Sequence, residues 1–338
     1  MKSRSLWFSR ARKAELREEE VETPRGDEIL VEALYSGISH GTEMLVYRGE
    51  VPPDLELDTS LKTMKGSFRF PIKYGYSSVG KVVQVGPEAS RLNLDDVVFV
   101  HHPHQTHYIV SEDVAVKLPQ GVPPILGVFT ANLETAFNCL LDAGIRPGDS
   151  VAVFGQGVIG LLVTQLMKRY GADRVFAVDG IGRRREVSEE LGADVAIDPH
   201  GHDPAQAIRD LTGGEGADVV VEASGAPEAL EGAIGSVAFE GLVVVLSWYG
   251  VKPVTLHLGK EFHRQRVTIR SSQVSHLNPA LGPRWSTKRR MDTVLRLLAR
   301  LRLEELISDI VPFEQAPGAF EKIDSRPEEV LQVVLSYV

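Results

Sequence analysis

Cysteine is nearly missing: Cys139 stands alone among 338 residues. A single thiol closes no internal disulfide and supplies none of the multi-cysteine sets that structural zinc takes. Long apolar runs are missing as well; none approaches the roughly 18 residues of a membrane-spanning helix, so no membrane span is expected. An excess of positive charge is also lacking. Lysine and arginine number 37 against 46 aspartates and glutamates, a net charge of −9, which argues against a dedicated nucleic-acid surface. Met1 to Arg12 carries basic groups with no apolar stretch or small-residue cleavage site after it, so the expectation is a cytoplasmic protein without a secretory leader. No repeat or low-complexity tract is evident. What is present is ordinary for a globular chain, 43% hydrophobic and 25% charged, with length enough for two domains at roughly 100–200 residues each.

From Asp27 to about Pro119 the chain reads as strands, with short β-branched runs such as Glu28–Glu32 and Gly80–Val85 broken by glycine and proline. Around Ile125 the pattern changes to apolar-periodic helices alternating with strands at Ser150–Phe154, Arg174–Val178, Asp218–Val221 and Leu242–Leu246. That alternation implies a parallel sheet covered by helices. From about Val274 the text turns irregular, with a basic helix near Lys288–Arg300 and strand-like ends at Ile310–Phe313 and Leu331–Leu335. Val51 to Lys73, proline-edged and carrying Lys62, Lys65, Arg69 and Lys73, reads as a surface or lid segment.

The strand Val151–Phe154 runs into Gly155, Gln156, Gly157, Val158, Ile159 and Gly160, then into an apolar helix. The first glycine permits a tight turn, the second lets backbone approach a pyrophosphate, and the third lets helix pack on strand, while the helix N-terminus offers N–H groups to phosphate. A second strand ends in Asp179, about 20 residues on, where a carboxylate would accept both ribose hydroxyls and repel a 2′-phosphate. These residues point to NAD. Arg183, Arg184 and Arg185 follow within one turn and could pair with such a phosphate, which keeps NADP open; they also fit a solvated helix start.

Four further segments fall in order along the chain: Ser36–Glu43, Gly75–Gly80 after Pro71, Asp218–Gly225 with Ser224, and Phe313–Phe320. Together with the glycine turn they make the chain resemble the medium-chain dehydrogenase/reductase superfamily. The resemblance implies an α/β protein that joins a GroES-like β-rich catalytic domain to a Rossmann doubly wound parallel sheet. Residues 1–124 would open the catalytic domain, 125–273 form the Rossmann domain and 274–338 return to the first. It also implies a small-molecule substrate and a homodimer through the Rossmann domains, with the edge strand after Leu242–Leu246 as its seam. Zinc-dependent members hold a catalytic metal at positions that align with His40, Tyr76 with Ser77, and Ala131. Ala131 has no ligand atom, and neither Tyr76 nor Ser77 is a usual donor. The structural four-cysteine lobe is missing, since Asp96–Val100 runs almost directly into His107–Val110. The expectation is therefore a zinc-free branch, spelled similarly to bacteriochlorophyllide dehydrogenases, which oxidise a hydroxyethyl side chain with NAD.

Moving a hydride to or from an alcohol carbon needs a group that handles the hydroxyl proton. Thr42 aligns with the relay hydroxyl of zinc members, His40 is titratable near neutral pH, and Tyr76 could donate a phenolic hydrogen bond. Each also fits a packing role. The segment His101–His107 invites a metal reading, but adjacent residues in extended chain face opposite sides, so His101 and His102 do not readily share one centre. The resemblance places His102 where zinc-dependent members have a substrate-pocket side chain, so it is read as pocket lining, with an exposed histidine loop as the alternative. The leading expectation is a zinc-independent NAD(H) oxidoreductase acting on a secondary alcohol or ketone. Reduction of an activated carbon–carbon double bond, or NAD(H) binding without catalysis, remain as alternatives.

Overall fold

The computed structural model describes residues 1–57 and 63–338. The chain forms two compact units, one made of residues 1–131 and 295–338, the other of residues 132–294. The order of first unit, second unit and return is the expected one, but the return begins later than 274. Residues 274–294 belong with the second unit, where Arg290 is buried against Glu134, to which it donates from Nε at 3.1 Å and Nη2 at 2.8 Å, and against Asn138 Oδ1 at 2.6 Å.

In the first unit, Glu28–Gly37 is the organising strand. It pairs antiparallel with Ser78–Val85, His107–Ser111 and Gln332–Ser336. Its alternating Ile29, Val31 and Ala33 enter one core with Val82, Val98, Val100 and Tyr108, as a half-buried strand should. The strand ends at Gly37, and after a short loop the helix Thr42–Arg48 begins. That helix buries Met44, Leu45, Val46 and Tyr47, and also the carboxylate of Glu43. It closes at Gly49, whose φ of +74° suits a glycine cap. A second small sheet joins Lys2–Arg10 to Lys13–Glu20 and Ile72–Lys73.

The described residues of the excursion Val51–Lys73 are in part exposed, as Pro52–Glu56, Lys65 and Arg69 are, and in part core. Val51, Leu57, Met64, Phe68 and Ile72 are buried in the core that also holds Phe8, Tyr47 and Phe320, because its apolar side chains outweigh the lysines that suggested exposure. Lys62 lies outside the described residues.

The second unit is a six-stranded parallel sheet ordered Val195–Ile197, Arg174–Val178, Ser150–Phe154, Ala217–Glu222, Val237–Val245, Thr268–Ser271. The strand first in sequence is central, and strand order reverses beside it, the Rossmann arrangement with its ligand crevice at the carboxyl ends of the strands. The middle strands are buried nearly end to end, as parallel strands covered on both faces must be. Among the described residues one helical stretch, Pro124–Ala143, is long and apolar enough to cross a membrane by length and composition; 78% of its apolar window is buried in the protein.

Candidate active site

The glycine turn has the expected construction. Gly155 sits at φ +88°, and a Cβ there would lie 2.5 Å from Ser224 Cα. A Cβ on Gly160 would lie 1.8 Å from the Gly155 carbonyl oxygen, so only glycine lets the helix Val158–Arg169 start this close to the strand. Gly157 differs: a Cβ would meet nothing within 4 Å, and no side chain caps the helix it precedes. Open space above an uncapped helix N-terminus is where phosphate oxygens fit. Val158 is buried and Ile159 half-buried beside it. Gln156 contributes backbone alone, because its buried side chain turns into the fold, donating to the Val153 carbonyl at 2.9 Å and accepting from Thr164 Oγ1 at 3.0 Å.

Asp179 stands at the end of the neighbouring strand. One carboxylate oxygen accepts from the Gln156 N–H at 2.7 Å and the other from the Ile181 N–H at 2.8 Å, so glycine turn and acid are locked together. Arg184 approaches Asp179 Oδ2 only to 3.9 Å. Arg185 is committed elsewhere, to the Asp179 carbonyl at 2.7 Å and to Asp198 at 2.9 Å. Ser224 is held by a carboxylate that the sequence reading passed over. Buried Glu222 accepts from Ser224 N at 2.7 Å, Ser224 Oγ at 2.5 Å and the Tyr249 hydroxyl at 2.6 Å. Burial and that carboxylate push the Tyr249 phenol well above its ordinary pKa, so it stays a donor.

In the first unit the structure gathers Ser39, Thr42 and Tyr76. The half-buried Tyr76 phenol is hydrogen-bonded to the Ser39 and Thr42 hydroxyls. Burial, with the Glu43 carboxylate nearby, pushes its pKa up to about 12. Glu43 accepts from the Ser39 N–H at 3.1 Å and is paired with His104 Nε2 at 2.8 Å, both side chains wholly buried. His104 Nδ1 lies 2.7 Å from Ser36 Oγ, which lies 2.9 Å from the Tyr337 hydroxyl. Gly75, at φ +129°, makes room for this imidazole: a Cβ there would lie 2.8 Å from His104 Cδ2. His40 is half-buried just ahead of the helix, and Ser77 turns away to donate to the Val128 carbonyl at 2.5 Å.

His102 is placed differently from its neighbours. Alternation along the extended segment puts His101 against the Tyr76 carbonyl at 3.1 Å and stacks His102 on Tyr108, ring centroids 3.8 Å apart. Burial lowers the His102 pKa to about 3, leaving a neutral ring that cannot serve as an acid near pH 7. His102 lines a cavity of about 420 Å³ with Glu19, Lys73 and Tyr108. The histidine that meets a buried carboxylate is His104. Its signal in the sequence was indirect: Glu43 lies in an otherwise apolar helix and must find a buried partner.

Among the described residues no three histidine, cysteine, aspartate or glutamate side chains gather as a metal set. At the aligned positions Tyr76 is a neutral phenol committed to two hydroxyls, and Ala131 carries no donor.

Residues 158–299 match the zinc-binding dehydrogenase family. The chain is 30% identical over 331 residues to D-guloside 3-dehydrogenase of Escherichia coli, covering 92% of this chain and 93% of that one. It belongs to the medium-chain dehydrogenase/reductase superfamily. L-threonine 3-dehydrogenase of Pyrococcus horikoshii is 29% identical over 341 residues, covering 91% of each chain. Among solved members of the superfamily, an alcohol dehydrogenase from Thermus sp. superposes with a TM-score of 0.76 at 26% identity, over 98% of this chain and 99% of that one. A zinc-binding dehydrogenase from Sinorhizobium meliloti, bound to NADP, gives 0.81 at 20% identity, over 99% of each. The two units are therefore the GroES-like and Rossmann domains of this superfamily, and the chain is an oxidoreductase of the medium-chain class.

Proposed function

We propose that this enzyme exchanges a hydride between NAD(H) and a secondary alcohol or ketone without a catalytic zinc. The observation that carries this reading is the Tyr76 cluster: a neutral phenol, seated on two hydroxyls, at the position where zinc members place a ligand. Relatives named for dehydrogenating a guloside, threonine and butanediol favour a hydroxyl-bearing carbon over a carbon–carbon double bond. The Ser-x-Gly-Thr-Glu spelling at Ser39–Glu43, which is similar to that of the bacteriochlorophyllide dehydrogenases, supports a zinc-lacking branch.

The cofactor would be held by the backbone of Gly155–Gly160, with Asp179 on the adenosine ribose, and when bound it supplies two-electron hydride exchange. The uncapped helix after Gly157 orients its phosphates, and Ser224 is braced by Glu222 beside Gly155. With Ser39 and Thr42 donating to the Tyr76 oxygen, the phenolic proton is left to donate to a substrate oxygen. That stabilises the negative charge which develops on the oxygen as carbonyl and alcohol interconvert. Thr42, with His40 close in sequence, is the group through which the substrate proton passes.

The test is a titration with NADH and NADPH, followed by a panel of secondary alcohols, ketones, enones and quinones, with zinc measured in protein purified without added metal. NADH binding, alcohol- or ketone-dependent turnover and substoichiometric zinc are expected. Activity confined to enones or quinones, or stoichiometric zinc lost together with activity on chelation, overturns the reading.

A further inference from the structure

The superfamily fold accounts for the glycine turn and the hydroxyl cluster, but not for the line of polar groups buried beneath that cluster. Glu43, His104 and Ser36 are each 0% exposed. They connect in single file to Tyr337, with contacts of 2.8, 2.7 and 2.9 Å. An apolar core does not keep four hydrogen-bonding side chains in a row at no cost.

Their polarity is dictated by what each group can do. A carboxylate only accepts, so His104 Nε2 carries the proton facing Glu43; Nδ1 of a neutral imidazole must then accept, Ser36 must donate to it, and Tyr337 must donate to Ser36. With His104 protonated, the outer half reverses: Nδ1–H donates to Ser36, and Ser36 donates to the Tyr337 oxygen. Those two arrangements are the states a file of hydroxyls and imidazole takes before and after accepting a proton at its outer end.

The two ends of the file lie in different surroundings. At the inner end Glu43 holds the Ser39 N–H and follows Thr42, both residues of the Tyr76 cluster. At the outer end half-buried Tyr337 lines a cavity of about 330 Å³ together with the exposed side chains of Lys2, Glu18 and Glu314. We propose that Glu43–His104–Ser36–Tyr337 is a proton path between the Tyr76 cluster and the solvent cavity at Tyr337. It deepens the alcohol–ketone reading and rests on that reading for its use in turnover.

In the reducing direction one proton enters. Water protonates the Tyr337 oxygen as its own proton moves to Ser36, the Ser36 proton moves to Nδ1, and the Nε2 proton moves to Glu43, from which it passes to the Tyr76 cluster and is consumed at the substrate oxygen. The electron pair comes with the hydride and none passes along the file. Oxidation runs the same steps in reverse; because each passage leaves the imidazole proton on Nδ1, the chain is reset by rotation of the two hydroxyls together with a turn of the imidazole that returns its N–H to the Glu43 side.

The path can be tested without substrate or cofactor. In protein carrying ¹⁵N-labelled histidine, exchange of the His104 Nε2 proton with water is followed by saturation transfer, with the His102 Nδ1 proton, buried but off the file, as internal reference. Tyr337→Phe retains the ring that stacks on Phe313 at 4.5 Å and removes only the outer hydroxyl; Ser36→Ala breaks the middle. Each is expected to slow His104 exchange at least tenfold and leave His102 unchanged. Exchange in Tyr337→Phe within twofold of wild type overturns the path, as does wild-type His104 exchanging only as slowly as the surrounding buried backbone amides. With an alcohol or ketone substrate in hand, Tyr337→Phe is expected to lower kcat at least fivefold with KM and NADH affinity unchanged. Slowed exchange with undiminished kcat overturns its part in turnover, and a failed substrate panel leaves the exchange result standing on its own.

Discussion

Replacing Tyr76 with phenylalanine removes one oxygen from the hydroxyl cluster and little else. The phenol is half-buried, packs edge-on to Tyr74 with ring centroids 6.4 Å apart, and is hydrogen-bonded to Ser39 and Thr42. Loss of those bonds costs about 1–3 kcal/mol of stability, less than the roughly 5–15 kcal/mol that holds a domain folded, so the variant folds. A donor aimed at developing negative charge on a reacting oxygen is worth about 2.7–4 kcal/mol, or roughly 10²–10³ in kcat. The assay is steady-state turnover with the best alcohol of the panel, beside an NADH titration. Tyr76→Phe is expected to lose about two to three decades of kcat while binding NADH as wild type does, because every residue assigned to the cofactor lies between Gly155 and Ser224. Thr42→Val and His40→Ala are expected to lose at least roughly tenfold each. Thr42→Val combined with Tyr76→Phe should cost less than the sum, since the two groups share a hydrogen bond. Because the Tyr76 pKa is raised to about 12, no alkaline limb below about pH 10 belongs to it. Turnover of Tyr76→Phe within threefold of wild type would refute the assignment.

Asp179→Ala is expected to weaken NADH roughly ten- to a hundredfold, the worth of hydrogen bonds to a charged group, while NADPH changes little or tightens; equal losses for both cofactors would remove the ribose role. His102 gives an acid signature. Its folded pKa of about 3 lies below the ordinary 6.5, so below pH 6.5 the unfolded chain binds a proton that the native ring refuses. Stability should therefore fall as pH drops from 6.5 to 3, by up to roughly 4–5 kcal/mol, and His102→Phe should flatten that limb in urea unfolding midpoints. The edge strand Thr268–Ser271 is proposed as the seam of a homodimer, which a monomer mass at micromolar concentration in analytical ultracentrifugation would rule out.

The geometry of the glycine turn was legible in the sequence because its logic is local. A strand, three glycines and an acid about 20 residues on are fixed by backbone geometry, and Gly155, Gly160 and Asp179 meet as their spacing implied. Gln156 was half legible: its position in the turn was plain, but the inward rotation of its side chain depends on Thr164, eight residues away on the helix. The buried polar file beneath Tyr76 was far less so. Glu43 and His104 are 61 residues apart, Ser36 and His104 are 68, and Ser36 and Tyr337 are 301. No periodicity reports which of four nearby histidines a buried acid will choose. Extended-chain alternation did separate His101 from His102, but their partners, Tyr76 and Tyr108, come from tertiary packing.

The fit between Gly75 and His104 also restricts how this chain can drift over generations. Any side chain at position 75 would displace the imidazole, and any smaller residue at position 104 that made room would strand the Glu43 carboxylate in the core. Positions 43, 75 and 104 are thus bound into one heritable unit. A descendant that alters one of them must alter the others with it or lose the fold beneath its hydroxyl cluster.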